Sequence, residues 1–162
     1  MTILRLIFQK SDMDNLTIMQ LIPQREPILM VDELLRVDGE QASTCFTVSS
    51  QNIFLDDEGN LEESGIIEHI AQSASAFAGY KAIMAGAAEP PVGYIGEVKK
   101  FRCYHRPKVG NCLRTFITLG VEVNGVTLLT AKTYAAKDKE VRINPDRSLL
   151  VAETSMKIYI KQ

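Results

Sequence analysis

The 162-residue chain has no tryptophan, two histidines and three cysteines, and no apolar run of the 18 or more residues that a membrane-spanning helix needs. Cys45, Cys103 and Cys112 are an odd count without metal-ligand spacing, so neither a disulfide framework nor a metal site is expected, and a reducing cytoplasm is the simplest setting. The chain also lacks a basic surplus. Its 18 Lys and Arg against 20 Asp and Glu leave a net charge of −2, which argues against nucleic acid as a main partner. The opening MTILRLIF is too short an apolar stretch, and lacks the small-residue cleavage site, to read as a signal peptide. No linker, repeat or low-complexity segment interrupts the sequence. One domain over residues 1–162, acting without membrane insertion, is the expectation.

What is present is one strong helical signal inside strand-rich sequence. Residues 15–22 allow two helical turns, capped by Asn15 or Thr17 and stopped by Pro23. Segments 27–37 and 41–50 read as strands. Over 64–86 alanine is dense and Ile67, Ile70, Ala74, Phe77 and Ala78 recur at helical spacing, with Ser64 and Gly86 as candidate caps. Charge is nearly absent between His69 and Tyr80, so this helix is expected to be buried almost all round. Segments 92–104, 111–123, 126–138 and 148–160 then read as four long strands. Asn124-Gly125 marks a hairpin, because a type I′ turn needs two residues that tolerate positive φ. A lone long helix must bury its surface against the only large sheet, so an α+β fold is predicted with the antiparallel sheet curled around the helix.

Three segments in this order resemble the 3-hydroxyacyl-ACP dehydratase family, which has the hotdog fold. LIPQREPILMVDELLRVD (21–38) is similar to its L-P-H-R-x-P-hydrophobic-V-D segment. SGIIEHIAQSASAFAGY (64–80) is similar to its central helix, with E-x-x-A-Q at Glu68, Ala71 and Gln72. VKKFRCYHRPKVGNCL (98–113) is similar to its basic strand and following turn. The nearest resemblance is to a divergent branch linked to aryl-polyene and flexirubin-type pathways. The resemblance implies a curved sheet around one central helix and a dehydratase acting on a 3-hydroxyacyl thioester, carried by acyl carrier protein or coenzyme A, with no cofactor. It also implies a dimer or higher oligomer whose cleft draws a histidine and a helix carboxyl from different chains. Gln24 stands where the family has that histidine. Glutamine does not titrate near neutral pH and cannot serve as a base, although it can orient water or a thioester. A heterodimer with a histidine-bearing dehydratase is therefore one expected partner state.

The residue chemistry has its own alternatives. Glu68 is the candidate acid or base, because a carboxylate in so apolar a helix is costly unless partnered; the plain reading is an acceptor of backbone N–H groups near the helix start. Gln72, one turn on, can hold Glu68 or substrate. Gly65 and Ile66 are candidate oxyanion donors for a substrate carbonyl, or simply a helix start. His69 is a candidate substrate contact or replacement base. However, consecutive helical residues diverge by about 100°, which favours a buried histidine instead. Lys99, Lys100, Arg102 and Arg106 form a basic run that could dock an acidic carrier, or else protect a strand edge. Three functions stay open: a dehydratase-like lyase, a hotdog thioesterase using Glu68, and a non-catalytic acyl-binding or partner subunit.

Overall fold

The computed structural model describes residues 15–136 and 149–161. Six strands, β1 (Glu33–Asp38), β2 (Gln41–Thr47), β3 (Val92–Cys103), β4 (Cys112–Val123), β5 (Val126–Ala136) and β6 (Leu149–Lys161), form one sheet in the order β1-β2-β4-β5-β6-β3. Every neighbouring pair is antiparallel. A short helix α1 (Ile18–Leu21) precedes the sheet, and the long helix α2 (Glu63–Met84) lies on its inner face. The predicted hotdog architecture is the observed one. The ends of two expected strands, at 137–138 and 148, and the opening MTILRLIF lie outside the described residues.

The period-2 pattern shows which face of the sheet turns to the helix. In β5, Leu129, Ala131 and Thr133 are buried while Leu128, Thr130 and Lys132 are exposed. The inward set meets Ile66, Ile70, Ala74 and Phe77 of α2, all at most 1% exposed. Each such large apolar side chain contributes roughly 1.5–3 kcal/mol by leaving water. The other side of α2 is less covered. Glu68, Ala71, Ser75, Ala78 and Ala82, at helical spacing, are only half-buried, so burial is not complete all round. Among the described residues no helix is long and apolar enough to cross a membrane.

Local details correct several expectations. The N-cap of α2 is Glu62 rather than Ser64, because the Glu62 N–H is already fixed by the Phe54 carbonyl. Gly86 follows the C-cap Ala85 at φ +97°; its N–H reaches the Ile83 carbonyl and that of Ala87 the Ala82 carbonyl, a Schellman closure. The β4–β5 turn forms at Asn124 and Gly125, with φ of +54° and +77°. Residues 27–32 are not strand. Met30 and Val31 are fully buried, but this segment is held by side chains of α2 in place of a ladder partner.

Candidate active site

Gln24 sits in the segment between α1 and β1, and Arg25 ties that segment into a tight loop. Its guanidinium donates to the carbonyls of Met19, Ile22 and Gln24 at 2.7–2.9 Å. Gly79 lets the loop lie against α2, since a Cβ there would clash with the Leu21 carbonyl oxygen. The far end of the loop is clamped to α2 by Gln72. The Gln72 amide oxygen accepts the Met30 N–H (2.6 Å), and its amide nitrogen donates to the Ile28 carbonyl (2.7 Å) and to Glu68 Oε1 (2.7 Å). One buried glutamine thus fixes both the loop and the orientation of the carboxyl.

Gln24, Glu68 and Gln72 of this one chain line a pocket of about 240 Å³, whereas the resemblance implied a histidine position and a carboxyl drawn from different chains. Glu68 and Gln72 form one wall, Gln24 another, and Tyr94 and Ile95 of β3 with Ile158 of β6 the third. The Gln24 amide oxygen is buried and has no hydrogen-bond partner. An unpaired buried acceptor costs about 1–3 kcal/mol, so the pocket offers an unmet demand for a donor. Past Ala78, Pro91 and Ile160 the pocket continues into a wider concavity of about 700 Å³, bordered by Leu119 and Val121. The arrangement gives an acidic group, a fixed amide acceptor and an apolar trough. Those are parts that suit a hydroxylated acyl chain rather than a polymer or an ion.

The family described as ApeP-like, ApeP dehydratase, matches residues 16–151. This span takes in the loop, the helix and five of the six strands in full. The chain belongs to the ApeP-like dehydratase family. No curated protein matches it. Among solved structures, it is similar to the dehydratase heterocomplex ApeI:P from Xenorhabdus doucetiae, with a TM-score of 0.76 and 16% identity over 91% of this chain and 92% of that one. It is also similar to smu.793 from Streptococcus mutans UA159 bound to acetyl CoA (TM-score 0.60, 9% identity, 86% and 95% covered). A hypothetical thioesterase with coenzyme A from Streptococcus pneumoniae TIGR4 gives a TM-score of 0.56 at 10% identity, with 80% and 84% covered. At these identities the structures establish the hotdog fold.

Within this ApeP-like chain the remaining expected site residues fall elsewhere. His69 is fully buried in the core, not in the pocket. A carbonyl can only accept, so Nδ1 donates to Met30 O (2.6 Å) and Nε2 accepts from the Thr115 hydroxyl (2.7 Å), which in turn accepts from Thr133 (2.7 Å). Burial lowers the imidazole pKa from 6.5 to about 4, holding it neutral. With both nitrogens used inside the core, His69 is the buried histidine that helix geometry favours and lies away from the pocket lining. Gly65 and Ile66 are buried, and both N–H groups donate to the Glu62 carbonyl (2.9 and 3.2 Å), so as placed they are not oxyanion donors. Glycine is needed at 65 for a different reason: a Cβ would strike Phe54 and Leu61.

The basic run also divides. Lys99 faces Glu97 at 3.6 Å and Arg106 is paired with Asp56 at 2.9 Å. Lys100, in a bulge at φ +51°, and Arg102 line a concavity on the opposite, outer face of the sheet. Sequence reasoning missed the pocket walls Tyr94, Ile95 and Ile158, because strand register is needed to see them. Ala71 was already in the E-x-x-A-Q motif, and Ser75 and Ala78, which follow Glu68 at helical spacing, could have been added to it.

Proposed function

We propose that this chain is the carboxyl-bearing half of a 3-hydroxyacyl-thioester dehydratase, completed by a partner subunit that supplies the histidine. The observation that carries the reading is the pairing of Glu68 with Gln24 in one pocket, the amide oxygen of Gln24 being buried without a partner. The 3-hydroxyl of the substrate donates to that oxygen and lies toward Glu68. The partner's base takes the C2 proton, the C3–O bond breaks, and Glu68 gives its proton to the departing hydroxyl, so that water and a 2-enoyl thioester form. Glu68 is then reset by the proton the base has gained, passed through water. Gln72 holds the carboxyl in place throughout and is the positioning residue.

The partner has an entry. Among the described residues β3 is an edge strand, paired with β6 alone, and nearly all of its residues are exposed. Val92, Tyr94, Ile95 and Val98 form an apolar rim along it, and Tyr94 and Ile95 also wall the pocket. An antiparallel strand added to this edge covers the rim and brings its own side chains to the pocket mouth. The relative from Xenorhabdus doucetiae is itself a dehydratase heterocomplex.

The test follows enoyl-thioester formation from a 3-hydroxyacyl-pantetheine thioester. The purified chain is expected to be a very poor dehydratase, because a missing general base costs roughly 10²–10⁴-fold. Gln24→His, or addition of a histidine-bearing dehydratase, is expected to raise the rate by about 10²-fold or more. Vigorous dehydration by the wild-type chain alone would refute the divided site. Hydrolysis of the thioester without dehydration would favour the thioesterase, and no turnover in any combination would leave a binding subunit.

A further inference from the structure

The outer face of the sheet, opposite α2, carries one row of side chains that crosses all six strands. The register reads Arg36 on β1, Ser43 on β2, Phe116 on β4, Lys132 on β5, Glu153 on β6 and Arg102 on β3. Five inter-strand steps of about 4.8 Å give the row a length of about 24 Å. Two concavities, of about 370 and 720 Å³, lie along it and share Phe116 and Thr118. The Arg114 guanidinium lies 4.9 Å over the Phe116 ring, and Tyr134 meets the same ring edge-on at 5.8 Å. Lys100 stands at the β3 end of the larger concavity.

Three features mark this row as a binding surface. First, it is cationic in an acidic protein: Arg36, Arg114, Lys132, Arg102 and Lys100 face Asp38 and Glu153. Asp38 is already paired with Arg36 (3.2 Å), and Glu153 already accepts from the Tyr104 hydroxyl (2.6 Å). Second, its centre is a half-exposed aromatic pair, the residue type that anchors protein interfaces. Third, Ser43 is only 3% exposed, its hydroxyl has no hydrogen-bond partner, and it lines the smaller concavity. A buried hydroxyl left unpaired inside a groove asks for a ligand group.

The geometry points to a docking groove for one acidic, amphipathic helix of a carrier-type protein. A helix of about 16 residues, rising 1.5 Å per residue, matches the row in length. Its carboxylates meet the flanking cations and one apolar side chain seats on Phe116. A second copy of this chain fits poorly, because a two-fold contact through this face sets cation against cation. Nucleic acid fits poorly as well, since Glu153 sits inside the row. The inference rests on the carrier-bound substrate of the proposed function. When two edge strands pair antiparallel, the Arg102 end of one lies beside the Tyr94 end of the other, so the groove runs up to the seam between protomers on the face of the sheet away from the pocket.

The experiment titrates the full chain with holo-acyl carrier protein by calorimetry at low and high salt. Lys132→Glu and Arg36→Glu are each expected to weaken binding at least ~10-fold, and Phe116→Ala by a similar amount, with affinity falling as salt rises. Arg106→Glu, which lies off the row, is expected to leave affinity within about twofold. Loss on Arg106→Glu with Lys132→Glu and Arg36→Glu silent would overturn the groove, as would tight binding of a DNA duplex or no binding of the carrier. The two proposals fail separately. If Gln24→His restores dehydration of a free pantetheine thioester while the carrier does not bind, the groove falls alone; if the carrier binds the row and dehydration never appears, the pocket reading falls alone.

Discussion

Glu68 and His69 are neighbours in sequence that serve opposite environments. His69 enters a core network in which every polar atom is matched: Met30 carbonyl, imidazole, Thr115 and Thr133 hydroxyls in a chain of 2.6–2.7 Å contacts. Glu68 enters a pocket in which matching is incomplete, with one oxygen held by Gln72 and the Gln24 oxygen opposite left without a donor. Saturated polar groups in a dry core hold a structure in one arrangement. Unsaturated ones beside an apolar trough are costly to the free protein and become useful only when a ligand arrives. The comparison separates residues that maintain the fold from residues that wait for substrate.

The strongest way to break the contrast is to remove the core member. His69→Ala strands the Met30 carbonyl, takes one of two partners from the Thr115 hydroxyl, and opens a cavity beside Phe46, which stacks on the imidazole at 5.7 Å. A loss of about 3–5 kcal/mol in urea unfolding is expected, from unpaired buried groups and lost packing together. A loss below ~1 kcal/mol would mean that the network does little for stability.

A milder perturbation uses protons. The folded-state pKa of His69 is lowered from 6.5 to about 4, so between those values the unfolded chain binds a proton that the folded chain refuses. The stabilisation is complete above about pH 6.5 and is lost as pH falls through the window to 4, by about 3 kcal/mol in all. Stability measured against pH in wild type and His69→Gln tests this. The wild-type slope in that window should be absent from the variant, and an unchanged slope would assign it to other groups.

How much of this was readable in the sequence follows the range of the interactions. The long helix was legible in its alanine density and 3.6-residue spacing, and the β4–β5 hairpin in Asn124-Gly125, because both signals are local. The divergence of Glu68 from His69 was legible too, since a helix turns about 100° per residue. Residues 27–32 misled. Ile28, Leu29, Met30 and Val31 are an apolar run, and nothing local says that Gln72 and His69, some 40 residues on, take their backbone groups away from a ladder. Gly65 misled in the same way, since the reason for glycine lies in Phe54 and Leu61 rather than in the helix start. The cross-sheet row from Arg36 to Arg102 was illegible, because its members are scattered over 118 positions and only strand register aligns them.

The smallest stability effect sharpens the comparison most. Glu68→Gln keeps the shape and the acceptor that Gln72 uses, and the side chain lies at a half-buried pocket wall rather than in the core. Unfolding free energy is expected to change by no more than about 0.5 kcal/mol, in the range of substitutions that break no buried network. What the variant cannot do is release a proton to a departing hydroxyl, since an amide has none to give near neutral pH. In a chain carrying Gln24→His, or paired with a histidine-bearing partner, Glu68→Gln should therefore abolish enoyl-thioester formation while His69→Gln, once its stability loss is offset by a lower assay temperature, should retain it. Equal loss of activity in both variants would show that the pocket and the core network are one unit. Retained activity in Glu68→Gln would remove the carboxyl from the chemistry and leave Gln72 holding a group of purely structural use.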